Sequence, residues 1–334
     1  LVGAKNEHAS ELCFSGFGYA DSALRNQPSL GSAISNLQGP VNPDCPPFIS
    51  LSHPTPNNWK DPGRAGFAGP AHKPFQPKDE GLQDLVLSMP RQRLNDRRQL
   101  LTSIDRYRRQ AEVSGVMQSV DSYTRQAFEL LTSSRLLQAL DLKNEDPRTL
   151  EKYGSGSLDP VDDGSPMHNE DFLLARRLVE KGVRCVQLYH TGWDQHGTLE
   201  RDHRRQCAAV DQGAAALLAD LKARGLLDET LVIWGGEFGR TPMAQGGGAN
   251  YGRDHHPHGF SIWMAGGGIK PGITYGATDD FGYFATEKKV HVHDLHATVL
   301  HCLGIDHKRL VHRFQGRDFR LTDVQGKVVE GILG

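Results

Sequence analysis

VRCVQLYHTGWDQHG, residues 183–197, joins a mostly apolar run to a turn in which an aspartate and a histidine stand two apart. Residues 183–189 read as a strand, because the run is short and rich in β-branched and aromatic side chains. In an open parallel sheet, ligands bind outside the carboxyl ends of the strands. Asp194 and His196 therefore stand where a metal ligand pair would stand, or they belong to a capped polar turn.

The segments on either side supply the sheet. Residues 169–181 and 200–224 read as helices, 231–234 and 260–265 as strands, and 293–303 as a helix closing at Gly304. Strands alternating with helices predict an α/β fold with a doubly wound, mostly parallel sheet and helices on both faces. The strands are near-continuous apolar runs, as double-sided burial requires. Nearer the start, FISLS (residues 48–52) reads as a strand between prolines, and SLGSAISNL (residues 29–37) as a short helix stopped at Gly39-Pro40. Residues 55–80 read as a long loop. From 90 to 142 the apolar residues recur at three and four spacings, which predicts two amphipathic helices with a solvated basic face.

Composition narrows the function classes. The chain has 334 residues and a net charge of −2, so it can bury a large core and carries no basic excess for nucleic acid or a membrane surface. No run of 18 apolar residues is present, so no transmembrane segment is expected. Five scattered cysteines without a CxxC pair argue against a disulfide framework or a cysteine zinc site. Of 16 histidines, 13 follow residue 160, which places acid–base or metal chemistry in the second half.

Two further polar clusters flank the later strands. GGEFGRTP puts Glu237 and Arg240 just after TLVIW, and GRDHHPHGF puts Asp254, His255, His256 and His258 just before FSIWMAGG. Carboxylate oxygen with imidazole nitrogen is a ligand set for zinc or manganese and, with fewer imidazoles, for calcium or magnesium. Each cluster alone could be a capped turn or a solvated loop. Together, at neighbouring strand ends, they predict a metal or anion site. Arg240 could hold a phosphate or sulfate oxygen pair, or bridge to a loop carboxylate. In HVHDLHATVLH (residues 291–301), His293, His296 and, with looser spacing, His301 read mostly as packing or surface residues and Asp294 as a helix-start residue.

The order GWDQHG, LKARGLLDETLVIWGGEFGRTP, GRDHHPHGFSIWMAGGGIKPG and HDLHATVLHCLGID resembles domain-of-unknown-function family 1501. The likeness is close over residues 165–325 and looser at the start, where KNEHASELCFSGF resembles an Asn/His-rich segment of the family. The resemblance implies a sulfatase-like protein of the alkaline phosphatase superfamily, in a single domain with a helical insertion at 90–142 and its metal-site half at 165–325. It implies a metal-dependent hydrolase of phosphate or sulfate esters, with zinc, manganese or calcium as cofactor. Its substrate would be a small anionic ester or a sulfated or phosphorylated glycan. Carried over by motif, Asp194 and His196 match the first ligand pair, Glu237 stands for the second aspartate, and His255 matches a late histidine. Phe238 occupies the place of the second-pair histidine. Arg240 would hold the anion, and His8 is a further candidate near the nucleophile region. The first strand and the nucleophile are expected upstream of residue 1. No CxPxR sulfatase signature is present; Cys45 in DCPPF does not fit one. The resemblance and a start at Leu1 predict an exported bacterial protein of the periplasm or cell surface, read as a processed or truncated piece. The rival reading is a non-catalytic exported metal- or glycan-binding protein on the same fold, and fold alone does not decide between them.

Overall fold

The computed structural model describes residues 1–4, 8, 10–53, 63–77, 92–97, 99, 134–161 and 164–334. In chain order its helices are α1 (Ser10–Ser15), α2 (Tyr19–Leu24), α3 (Leu30–Gln38), α4 (Ser134–Leu140), α5 (Pro147–Tyr153), α6 (Glu170–Glu180), α7 (Leu199–Ala223) and α8 (Val292–Cys302). The strands are β1 (Phe48–Ser50), β2 (Gly156–Ser157), β3 (Met167–His168), β4 (Cys185–Gln187), β5 (Val232–Trp234) and β6 (Gly239–Arg240). They continue as β7 (His255–His256), β8 (Trp263–Ala265), β9 (Ala277–Thr278), β10 (Ala285–Glu287), β11 (Val311–Phe314) and β12 (Arg317–Arg320).

Local chemistry explains the boundaries. Ser29 opens α3 because its Oγ accepts the Ser32 N–H at 3.3 Å, and Gly39 closes it at φ 62°. Asp146 and Pro147 start α5 in the same way, with the Asp146 carboxylate accepting the Arg148 N–H. Asp294 completes a capping box at α8: its carboxylate accepts the His291 N–H at 2.9 Å. The helix-start reading of Asp294 is therefore correct. The amphipathic helices read across 90–142 fall mostly outside the described residues, apart from a helical stretch at 92–97 and α4. The described part of the loop at 55–80, residues 63–77, holds two short 3-10 turns.

The chain is a mixed α/β protein, and its described strands form two-stranded pairs. β1 and β4 run parallel, Phe48 opposite Cys185 and Ser50 opposite Gln187. The parallel expectation does not extend to the later strands, because β5 pairs with β8 antiparallel, Val232 opposite Ala265 and Trp234 opposite Trp263. The connection explains the difference. A parallel partner needs a crossover, usually a helix. The segment between β5 and β8 instead holds the antiparallel β6–β7 pair and one 3-10 turn, so the chain returns alongside the strand it left. Among the described residues no strand joins β4 to β5, and a cavity of about 1460 Å³ borders both. Residues of the two strands are accordingly half-buried rather than buried, with Ile233 exposed.

The core lies around α6. Its Ala175 and Leu178 pack with Ile49, Leu51 and Leu136, while its Phe172 and Leu173 pack with Tyr153 and Val210 of α7. A third cluster joins α3 to α8 through Ile34 and Leu300. Arg176 is 2% exposed and bonds Glu145, Glu180 and Asp220, so its buried charge is matched by carboxylates from three segments. No described helix is long and apolar enough to cross a membrane. The five cysteines are free thiols; Cys45 is buried, whereas Cys185 and Cys302 are half-buried.

Candidate metal centre

The 192–197 turn is shaped by its first residue. Gly192 sits at φ 91°, and a Cβ there would press on the Gln206 amide and the Val161 carbonyl. The Gln206 amide donates to the Gly192 carbonyl at 2.7 Å, which ties the turn to α7. Three backbone bonds then join it to the region of the β6–β7 hairpin: Arg253 N–H to Gln195 O, Thr198 N–H to Asn250 O, and Leu199 N–H to Tyr251 O. The hairpin in turn sets Arg240 directly opposite His255.

His8, Asp194, His196 and His255 come together as a result. Each offers one ligand atom, and the four atoms lie within 4.8 Å of one another. His8 Nε2 is 3.1 Å from Asp194 Oδ2, and His196 Nε2 is 3.1 Å from His255 Nε2. Tetrahedral ligands about 2.1 Å from an ion stand about 3.4 Å apart, so these edges suit a zinc-sized ion. Three imidazoles and one carboxylate also favour zinc or manganese over calcium.

Two of the histidines are oriented from behind. Nδ1–H of His8 donates to Glu237 Oε1 at 2.9 Å, and Nδ1–H of His196 donates to Gln245 Oε1 at 2.6 Å. Both rings therefore present Nε2 to the cluster, the arrangement in which a partner on the far nitrogen fixes a metal-binding histidine. Glu237, matched to a ligand position by motif, occupies this supporting place behind His8. His8, matched to the nucleophile region, lies among the converging donors. Gln245 was not singled out in the sequence. It lies in the Gly-rich MAQGGGAN, where only the hairpin geometry gives it a partner.

The charges fit the same picture. Hydrogen bonds to Asp194 and Glu237 push the His8 pKa up to about 9, so without a metal the imidazole is a cation at neutral pH. Burial alone would raise the Asp194 carboxyl, but the bonds from His8 and Arg240 outweigh it and hold the group well below the usual carboxylate range. Burial lowers His255, against the pull of Asp194. Arg240 Nη2 donates to Asp194 Oδ1 at 2.5 Å and to Trp193 O at 3.2 Å. Phe238 stacks on the His255 ring at 4.3 Å and fills the space beside it with carbon. His293 and His296 sit elsewhere, bonded through Nε2 to the Gly16 and Cys13 carbonyls, which agrees with a packing role. His256 is buried, with Nε2 on Tyr283 O.

Fold and cluster together define a mixed α/β protein with a histidine–aspartate site able to hold a metal ion. The chain belongs to DUF1501, a family described as proteins of unknown function, whose model matches residues 2–333. Neither the curated proteins nor the solved structures gave a match.

Proposed function

We propose that this protein is a metal-dependent hydrolase of phosphate or sulfate esters, exported to the periplasm or cell surface, with the sulfatase-like fold that its motifs resemble. The observation that carries the reading is the convergence of His8, Asp194, His196 and His255, two of them pinned at Nδ1. In this reading those four residues hold the ion, zinc or manganese by the donor set. A bound ion there supplies a Lewis acid that polarises an ester oxygen and offsets developing charge. Arg240 turns one face of its guanidinium from Asp194 to the anion, a geometry that suits paired oxygens. Glu237 and Gln245 keep His8 and His196 in register. The parallel β1–β4 pair would be one part of a doubly wound sheet.

A second reading, a non-catalytic metal- or glycan-binding protein, draws support from Phe238. That side chain occupies the place of a second-pair histidine and stacks on His255, and among the described residues a single ligand cluster is found. One experiment separates the two. Metal-free protein is titrated with zinc and with manganese, and each loaded form is assayed on an aryl phosphate and an aryl sulfate. Stoichiometric binding with turnover supports the hydrolase, binding without turnover on either ester supports the second reading, and absence of metal binding removes the hydrolase and leaves of the second reading only its glycan-binding form.

A further inference from the structure

A second polar cluster stands at the carboxyl end of the parallel pair. The β1–β4 register sets Ser50 opposite Gln187, and the Leu51 N–H to Gln187 O bond at 2.8 Å carries the ladder onward. Three residues further along each chain are His53 and His190. His53 donates from Nε2 to Asp171 Oδ2 at 2.7 Å, and Asp171, in the first turn of α6, is 4% exposed. The His53 ring also stacks on His168 at 4.5 Å.

His190 has its tautomer fixed. The Trp193 indole N–H donates to its Nδ1 at 3.1 Å, so in the neutral ring Nε2 carries the proton. Burial, helped by the neighbouring His53, pushes its pKa down to about 4, so the ring is neutral at physiological pH. Trp193 adjoins Asp194 in sequence, and its carbonyl accepts from Arg240. His53, Asp171, His190 and Trp193 border the same cavity as Asp194 and Arg240.

An ester has two halves. The charged half belongs with the metal ligands and Arg240, and the alcohol half must lie elsewhere in the same cavity. We propose that His53–Asp171, His190 and Trp193 bind the alcohol half of the substrate, and that this alcohol carries further hydroxyl groups. The chemistry of the cluster selects that class. A buried carboxylate and a neutral imidazole disfavour a second anion. A fixed N–H donor beside a carboxylate–imidazole pair matches hydroxyls, which both donate and accept. The indole supplies an apolar face for the carbon skeleton. The identity of the occupant rests on the ester reading above; the donor arrangement does not.

The test has two arms, both on the chain with its histidines labelled with nitrogen-15. In the first, free inositol is added to metal-free protein. The proposal expects a saturable shift of the His190 nitrogen signals in the wild type and its loss in H53Q. In the second, inorganic phosphate, phenyl phosphate and inositol monophosphate are titrated into zinc-loaded protein. Inositol monophosphate should bind about fivefold more tightly than either of the others, the gain of roughly one net hydrogen bond. That ratio should fall to about one in H190F and be partly kept in H190Q, which retains an N–H donor. Phenyl phosphate binding more tightly than inositol monophosphate, or no response of His190 to inositol, overturns the subsite. Inositol binding without any phosphate binding by the zinc-loaded protein overturns the ester reading instead and leaves the hydroxyl site standing.

Discussion

Arg240 Nη2 lies 2.5 Å from Oδ1 of Asp194, the same carboxylate oxygen that His196 and His255 approach at 3.0 and 3.2 Å. One oxygen thus faces a guanidinium and two imidazoles, while the other oxygen faces His8. A metal ion held here would take over the neutralisation of Asp194 that Arg240 and the His8 imidazolium supply in its absence. In the proposed function, Arg240 would then be free to turn from Asp194 toward an anionic ligand. In the R240A variant, phosphate and sulfate affinity of the zinc-loaded protein should fall about tenfold or more, the range of a lost charge-assisted hydrogen bond. Zinc affinity should hold or rise. Calorimetric titration of both ligands checks this, and a parallel loss of zinc and anion binding would assign Arg240 a structural role.

Metal binding should depend steeply on pH. His8 coordinates through Nε2 only after losing a proton, and its pKa stands at about 9 in the metal-free protein. The apparent zinc affinity should therefore climb about tenfold per pH unit from neutrality up to about pH 9 and then level off, with one proton released per ion from this group. H8Q should flatten the slope. An affinity independent of pH in the wild type would exclude His8 from the ligand set.

Gly252 offers a way to disturb the cluster without touching a ligand. A Cβ there would overlap the carbonyl carbon and oxygen of His196 and the Gly197 nitrogen. G252A should displace the His196 backbone and weaken zinc binding about tenfold, comparable to losing a group that orients a ligand. The far-UV circular dichroism should stay close to wild type. Wild-type affinity in G252A would show that His196 contributes little.

Stability of the metal-free protein should peak near pH 6.5. His296 is 2% exposed and depressed to about 4, so its contribution is complete above its unfolded pKa and is lost as pH falls from about 6.5 to 4. His8 is raised, so its contribution is complete below about 6.5 and is lost as pH rises toward 9. His296 and His8 each contribute at most about 3 kcal/mol. Urea midpoints across this range test the shape; H296F should shrink the acid limb, to which the depressed His190 also contributes, and H8Q should remove the alkaline one.

The buried Arg176 network is the strongest stability target away from the cluster. R176A removes the buried cation from Glu145, Glu180 and Asp220, which keep only Arg177 and Arg224 as cationic partners, and should cost about 1.5–3 kcal/mol, the range of lost charged hydrogen bonds. R176M, which replaces the charge with volume, still leaves three carboxylates without their buried cation and should not restore wild-type stability. The thermal midpoint gives the readout, with zinc affinity at the folded temperature unchanged in either variant.

Much of the element order was written locally in the chain. The capping residues Ser29 and Asp294, the stop at Gly39, and the period of the apolar residues in α6, α7 and α8 each act within a few positions. Helices and short strands therefore fell where the sequence placed them, within a residue or two at most helix ends. The gathering of Asp194, His196 and His255 at strand ends was legible for the same reason, since each follows or precedes an apolar run. Local pattern could not decide how the runs pair. The antiparallel return of β8 onto β5 depends on the β6–β7 hairpin between them, a contact between residues more than a dozen apart. Nor could it decide which atoms meet. His8 joins a candidate ligand set 186 positions away, Glu237 withdraws behind it, and Gln245 enters from a glycine-rich loop. Those roles depend on side-chain direction and backbone ties across the fold, which no stretch of sequence holds by itself.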